Sequence, residues 1–456
     1  MSRIRDIANL FSANTSAATD SEVTAAISAH NSSTTTVHGI SDTAALATLS
    51  SVTSAISTHN TAANGHTGRG TTANRPASPT VGDLYYDTTL DALIQYKSTG
   101  WAQVSPIPNA PTNVNATAGN TQATVTFTAP TNVLVSSYTV ISSPGNITAS
   151  GASSPITVTG LTNGTSYTFT VTALGSNGTS AASSASNSVT PIAPAPSTVS
   201  YLVVAGGGAG GGSNNSHGAG GGGAGGFKTA SGFAVSTNTN YTITVGAGGA
   251  GNNSTRGANG GNSVFSNITS TGGGGGGYGT DGGTNRQGQN GGSGGGTGSS
   301  NSGSISGGTG ISGEGNNGGA SGPAEVGRGG SGGGSSAAGT TAATITTDTA
   351  GGAGTSNSLT GSSITYAVGG GCNGTINTQF PSGTANRGNG GHGAYNSGSG
   401  AMDPPGGSGG SGIVVISYDS TKRNLTIDPG LTYSSNISGG NLIYTFTAGT
   451  GTVSWS

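Results

Sequence analysis

The 456-residue chain has a single cysteine, and charged side chains make up only 6% of it. One thiol, Cys372, excludes an intrachain disulfide framework and any metal site built on several thiolates. No carboxylate occurs between Asp91 and Asp281, and no charge of either sign between Lys97 and Lys228. The surface of that stretch must be wetted by Ser, Thr and Asn, and its contacts should depend little on salt. The formal net charge is −2 with the basic residues scattered, so no cationic stripe exists to neutralise phosphates and nucleic acid is not expected as a partner. No segment approaches the ~18 consecutive apolar residues of a membrane span, and "MSRIRDIANLFSAN" lacks the apolar centre of a secretory signal. Assembly in the cytoplasm without membrane insertion is the expectation.

Glycine is what the chain has most of, at 91 residues. The run "YLVVAGGGAGGG", Tyr201 to Gly212, places Gly206, Gly208 and Gly211 in the G-x-G-x-x-G spacing of a dinucleotide-binding turn. That turn needs a following helix whose N-terminus faces the pyrophosphate, and an acidic residue about 20 positions later for the ribose. Neither is present: "SNNSHGAGGGGAGGF" cannot hold a helix when each glycine costs about 1 kcal/mol against alanine, and the next carboxylate is Asp281. "GGFKT" fails as a phosphate loop, because Phe227 separates the glycine from Lys228. No cofactor is expected.

Residues 1–75 read as short helices that need partners. Ile4, Ile7, Ala8 and Phe11 form a narrow apolar stripe, and "SEVTAAISAHN" (Ser21 to Asn31) recurs as "SSVTSAISTHN" (Ser50 to Asn60). Isolated helices below ~12–15 residues are marginal in water, so a parallel homotrimer is expected; a disordered Ser/Thr/Ala arm is the alternative. His30, His38, His59 and His66 match no zinc signature, and no metal is expected there.

Residues 76–106 read as a small β-hairpin module around Leu84 to Tyr86 and Leu93 to Tyr96, with Trp101 covering one face. The stretch "RPASPTVGDLYYDTTLDALIQY" followed by "GW" resembles a small module common in bacteriophage tail-fibre and other virion proteins. Residues 107–192 show strands at Ala123 to Thr128, Ser137 to Ser142, Ile156 to Val158 and Tyr167 to Ala173, with turns at the ~8–12-residue spacing of a sandwich. "GLTNGTSYTFTVTALGSNGTSAAS" resembles fibronectin type III domains, which implies Leu161 as a core leucine and Tyr167 as the tyrosine-corner residue. Phe127 stands where many such domains have tryptophan. Residues 193–200 read as a Pro-rich linker.

The glycine-rich domain is set at 201–418. A flexible tether is the plain reading of such composition. Against it, "YLVVA" and "GIVVISY" bracket the block as strands able to pair, "YTITV" and "SVFSNITS" punctuate it, and glycine runs such as Gly220 to Gly226 and Gly272 to Gly277 have similar lengths. Without a G-X-Y period these runs are not collagen, yet they can take the same extended helix of three residues per turn with no internal hydrogen bonds. Their backbone groups must then bond laterally, and only a fully bonded lattice offsets the entropy of ordering glycine. This pattern resembles the glycine-rich adhesin domains at phage tail-fibre tips, where polyglycine II helices form a sandwich and their joining loops bind the host receptor. The stretch from Gly334 to Leu359, broken by Thr, Ala and Ser, is expected outside the lattice. Residues 419–456 read as a terminal β hairpin covering an edge.

The expected fold is therefore mainly β, multidomain and fibrous, with a polyglycine II/β domain. The resemblance implies a virion tail-fibre adhesin, assembled in the host cytoplasm as a homotrimer and attached to other tail proteins through its N-terminal region. It would bind a host surface glycan or outer-membrane protein without catalysis. Candidate receptor contacts are Tyr278, Asp281, Asn285, Arg286 and Gln287, with Phe380, Arg387, His392 and Tyr395, because aromatic or charged side chains in a glycine matrix have little other use. A purely structural fibre or surface filament is the alternative. Paired carboxylates for glycan hydrolysis are not evident: Asp281, Glu314, Glu325, Asp348 and Asp403 lie far apart in the chain.

Overall fold

The computed structural model describes residues 68–90, 92–104, 107–214, 217–280, 283–299, 304–322, 327–342, 348–372, 380–395 and 404–456. The expected N-terminal helices, their repeat and their histidines, and the candidate Asp281, lie outside the described residues. The protein is mainly β, and the described residues contain no α-helix. It divides into two compact units: 1–116, 124–158 and 167–188 in one; 117–123, 159–166 and 189–456 in the other.

In the small module, strands β1 (Gly68–Gly70), β2 (Leu84–Asp87), β3 (Ala92–Lys97) and β4 (Gly100–Gln103) form one sheet in that order. Tyr85 and Ile94 are buried, and Trp101 packs at 5.9 Å from Tyr85 and 5.4 Å from Tyr96 between ring centroids. The module closes over a buried carboxylate. Asp87 pairs with Arg75 at 2.6 Å and accepts hydrogen bonds from Thr72 Oγ1 and the Thr89 and Leu90 N–H groups. Burial pushes this carboxyl up, but the bonds from Thr72, Arg75, Leu90 and Thr89 outweigh it and hold it below its usual range. A carboxylate depressed in the folded state stabilises fully above its unfolded pKa of about 3.9 and loses that contribution as pH falls further. The unfolding midpoint followed by Trp101 fluorescence should therefore drop below about pH 4, and Asp87→Asn should flatten that dependence.

The second module is a two-sheet sandwich. Strands β5 (Thr112–Ala118), β6 (Gln122–Thr128) and β9 (Ile156–Thr159) form one sheet. The other has the order β11 (Gly178–Thr179), β10 (Thr168–Gly175), β7 (Val135–Ser143) and β8 (Thr148–Gly151). Val125, Phe127, Tyr138, Val140, Val158, Leu161, Tyr167, Phe169 and Val171 fill the interior, with Phe127 at 4.7 Å from Tyr138.

Beyond β11 the chain continues along β10 with a period of three. Ser180, Ser183 and Ser186 each donate their N–H to the carbonyl of Ala173, Val171 and Phe169, respectively. Each hydroxyl also accepts the N–H of that same residue, at 2.9–3.0 Å. Ser183→Ala would strip the buried Val171 N–H of its acceptor, at a cost of about 1–3 kcal/mol. Faster amide exchange at Val171 and a lower unfolding midpoint are the expected results; an unchanged midpoint would contradict the role.

The C-terminal unit pairs a nine-stranded sheet with a glycine lattice. Strands β12 (Thr198–Val204) and β19 (Ile413–Asp419) lie antiparallel, with Tyr201 opposite Ile416 and Val203 opposite Val414. Both faces of this pair are covered, which accounts for its unbroken apolar runs. Tyr201, Val203, Val414 and Ile416 face a core with Tyr241, Phe265, Phe446 and Trp455; Leu202, Val204, Ile413 and Val415 face Ala224, Tyr366 and Ala367.

The last strand, β22 (Asn441–Ser454), differs from the expected edge cover. It pairs with β19 through Leu442 to Phe446 and with β14 (Tyr241–Thr244) through Thr450 to Val453, so it lies inside the sheet. Strand β21 (Leu431–Ser438) flanks it. The alternation of Leu442, Tyr444 and Phe446 into the core explains the difference: a strand with that much buried apolar surface joins the core rather than capping it.

Past Val204 the chain leaves the sheet as glycine. The donors of tract 206–211 turn to three neighbours with a period of three. Gly206 and Ala209 bond Gly261 and Ala258; Gly207 and Gly210 bond Gly410 and Gly407; Gly208 and Gly211 bond Gly223 and Gly220, all at 2.8–3.0 Å. Carbonyls of the tract accept from Gly273 and Gly276, from Gly249, and from Gly391 and Ala394. Six tracts thus surround one, as three-residue turns with no internal bonds require.

None of the glycines in 206–211, 220–226 or 272–277 has positive φ, so the residue is needed there for lateral space. A Cβ on Gly208 would overlap the carbonyl of Gly274, and one on Gly222 the carbonyl of Gly208. At three alanines a tract meets side chains: Ala224 against Tyr366, Ala219 and Ala394 against Phe380.

The stretch expected outside the lattice partly joins it. Gly352 N–H donates to Gly332 O and Gly369 N–H to Gly352 O, both at 2.9 Å, and Gly339 N–H bonds Asn317 O. Backbone amides suffice for membership wherever glycine recurs, so the intervening Thr and Ser do not break the pattern. Among its described residues, β17 (Thr355–Asn357) leaves it to form a hairpin with β18 (Ile364–Tyr366). At the sheet end, Glu314 clamps the lattice, pairing with Lys228 at 2.9 Å and accepting the Thr271 N–H at 2.6 Å.

Candidate functional site

Eight residues of extended chain, 205–212, carry the first tract about 25 Å from the sheet before it turns. Other tracts turn at the same level. Asn214 N–H bonds Gly279 O, Ser299 N–H bonds Gly218 O, Gly218 N–H bonds Gly327 O, and Ala219 N–H bonds Ala394 O. Cys372 bridges Thr349 and Gly393 in the same region. The described ends of these tracts therefore meet at one end, opposite the sheet, on laterally bonded stems.

The candidate residues divide between two places at this end and one elsewhere. Tyr278, Asn285, Arg286 and Gln287 share one turn, in which Tyr278 N–H bonds Asn285 O at 2.8 Å. Asn285 and Gln287 are exposed, whereas Tyr278 and Arg286 are buried. Arg286 Nε donates to Gly283 O at 3.3 Å. Phe380 is buried with Ala219 and Ala394, and Tyr395 packs partly buried beside them. Tyr278, Arg286 and Phe380 thus serve packing in this structure. Arg387 is not part of the cluster: its N–H bonds Ser411 O and its carbonyl accepts from Ala367, next to the start of β19 at the opposite end.

Around Tyr395 the structure gathers the candidate His392 with Asp348, Cys372 and Arg328, of which the sequence pattern did not single out Arg328. The Arg328 guanidinium lies 5.4 Å from the Tyr395 ring centroid, within cation–π range, and pairs with Asp348 at 3.4 Å. His392 is half-buried; burial pushes its pKa down, with Asp348 acting in the opposite sense. Burial also raises the Cys372 thiol to about 11. A thiol so placed is not a nucleophile at neutral pH. It should stay silent to Ellman's reagent in the folded protein and react at once on unfolding, and rapid labelling under native conditions would contradict its placement.

His217 is buried in the first turn, with Nδ1 at 3.4 Å from Ser299 Oγ, and its carbonyl accepts from Ser213 Oγ. On the other side, Arg256 follows the exposed turn Asn252 to Thr255. Arg256 and Arg328 are isolated charges in glycine-rich segments, the same signal that marked Arg286 and Arg387. Among the described residues no three His, Cys, Asp or Glu side chains come together as a metal site would need.

A glycine-rich domain family model matches residues 183–419, more than half of the chain, and the chain belongs to that family. A fibronectin type III domain model matches residues 109–189. Comparison with curated proteins returns no match. Solved structures similar to part of this chain include titin kinase with its flanking domains, at 22% identity over 19% of this chain and 17% of that one, TM-score 0.17. A second crystal structure of titin domains aligns at 21% identity over 22% of this chain and 41% of that one, TM-score 0.18. A myokine structure aligns at 20% identity over 18% of this chain and 98% of that one, TM-score 0.16.

Proposed function

We propose that this protein is a non-catalytic adhesin of a virion tail fibre, in which the loop end of the glycine lattice contacts a host cell-surface receptor. The observation that carries the reading is that the described tract ends around Asn214, Gly218, Gly279, Ser299 and Ala394 meet opposite the sheet, on stems bonded to several neighbours each. Binding residues work best when a rigid scaffold holds the loops that bear them. Exposed Asn285 and Gln287, with half-buried Tyr395, are the receptor contacts of this reading. The fibronectin type III module acts as a spacer, and the N-terminal region joins three copies and attaches them to other tail proteins.

Labelled protein incubated with a panel of bacterial strains tests this. Strain-specific binding that disappears when residues 283–287 are replaced by Gly/Ser is the expected outcome. Binding to no strain, with growth of fibres in solution, would instead make the protein a structural filament.

A further inference from the structure

Between the Asn252 to Arg256 turn and the segment Asn285 to Gln289 lies a solvent-open cavity of about 370 Å³. Its polar side chains are Asn252, Thr255, Arg256, Asn285 and Gln289, and among the described residues neither an aromatic ring nor a carboxylate lines it. Part of this polarity is engaged within the fold. Asn252 Oδ1 accepts the Ser254 N–H at 2.9 Å, and Gln289 Nε2 donates to Gly257 O at 2.8 Å. The Arg256 guanidinium is different: no carboxylate pairs with it among the described residues.

A second observation points the same way. Arg286, next to Asn285 in the chain, is buried, and its Nη1 has no hydrogen-bond partner. A guanidinium remains charged in any protein environment. With no carboxylate paired to it among the described residues, it raises the positive potential of the wall that carries Asn285. Arg256 supplies the accessible part of that potential.

We propose that this cavity binds a carboxylated sugar of the uronic-acid type within a surface polysaccharide. The inference deepens the receptor-binding reading above and rests on it. The planar fork of Arg256 matches a carboxylate through two parallel hydrogen bonds. The amides of Asn252, Asn285 and Gln289 and the hydroxyl of Thr255 offer both donors and acceptors, as ring hydroxyls require. Without an aromatic ring to stack on, a neutral sugar has no anchor here. The volume falls in the ~300–1,000 Å³ range of small-ligand pockets, more than a lone carboxylate would fill.

Calorimetric titration of the full chain with four probes tests the assignment: cellobiouronic acid, cellobiose, glucose 6-phosphate and succinate. Binding of cellobiouronic acid alone, weakened by added salt and by about tenfold or more in Arg256→Gln, is the expected result. Arg256→Lys, which keeps the charge and loses the fork, should also weaken it, and serves if Arg256→Gln does not fold. Equal binding of cellobiose, a preference for the phosphate or for succinate, no binding at all, or indifference to both Arg256 variants would each overturn the proposal. Strain binding that survives Arg256→Gln while uronate binding is absent would overturn the cavity assignment and leave the loop-end reading standing. Strain binding indifferent to replacement of residues 283–287 would remove the wider reading instead.

Discussion

Replacing Gly222 with alanine is expected to unfold the glycine lattice as a whole, not one turn of it. Gly222 donates its N–H to Gly391 O and accepts from Gly370 N–H, both at 2.8 Å, and its missing Cβ leaves room for the carbonyl of Gly208. The obstacle to a methyl group is therefore backbone on a third tract, with no side chain that can rotate away. Overpacking usually costs about 1–3 kcal/mol, and a site with no means of relaxation should reach or exceed the top of that range. Each tract is bonded to several others, so shifting one breaks bonds on all of them. The readout is Cys372, whose thiol should become accessible to Ellman's reagent in Gly222→Ala at temperatures where the parent is silent. Ser254→Ala, in an exposed turn, should change stability by less than about 0.5 kcal/mol. Equal effects from the two substitutions would argue against a close-packed lattice.

The second large effect is expected at Trp455. Its side chain is 0% exposed and lies 5.8 Å from Tyr241 and 5.5 Å from Tyr418 between ring centroids. The core that contains it also holds Tyr201 and Val203 of the strand feeding the first glycine tract. Trp455→Ala should cost about 3–5 kcal/mol, the usual range for removing a buried indole. Because β12 and β19 both issue from or enter the lattice directly, that loss should appear as earlier melting of the glycine block, together with the sheet. Measured by thermal unfolding with Cys372 labelling as a second probe, the two transitions should move together. A sheet that melts early beneath an unchanged lattice would show them to be independent.

The strands of the second module were legible because Ala123, Val125 and Phe127 alternate with polar residues and turns fall at regular spacing. The pairing of Tyr201 to Ala205 with Gly412 to Tyr418 was legible for a different reason: only two such unbroken apolar runs bracket the glycines. The place of β22 was not, since a sequence pattern reports which face of a strand is buried and says nothing about which strand lies beside it. The hydroxyl ladder of Ser180, Ser183 and Ser186 escaped for a related reason. Its period of three is neither that of a strand nor that of an α-helix, and serine is common throughout the chain.

At the candidate site, Asn285, Gln287 and Tyr395 lie at the lattice end opposite the sheet, although of these only Tyr395 fits the rule that a charged or aromatic residue amid glycine has a role. That rule could not separate residues that pack from residues that project. Tyr278 and Phe380 fill space where a tract has alanine or ends, and Arg387 lies near the start of β19, at the sheet end. The position of a residue along a tract decides which end it occupies, and that depends on the lateral register between tracts, which glycine carries no side chain to encode. Applied evenly, the same rule would have marked Arg256.

Amide hydrogen exchange across Gly206 to Gly211, compared with the exposed turn Asn252 to Thr255, tests the lattice most directly. Every donor in that tract is bonded to another tract, so protection equal to that of β12 and β19 is expected, with the turn exchanging freely. Exchange of the tract at the rate of an unfolded peptide would contradict the account.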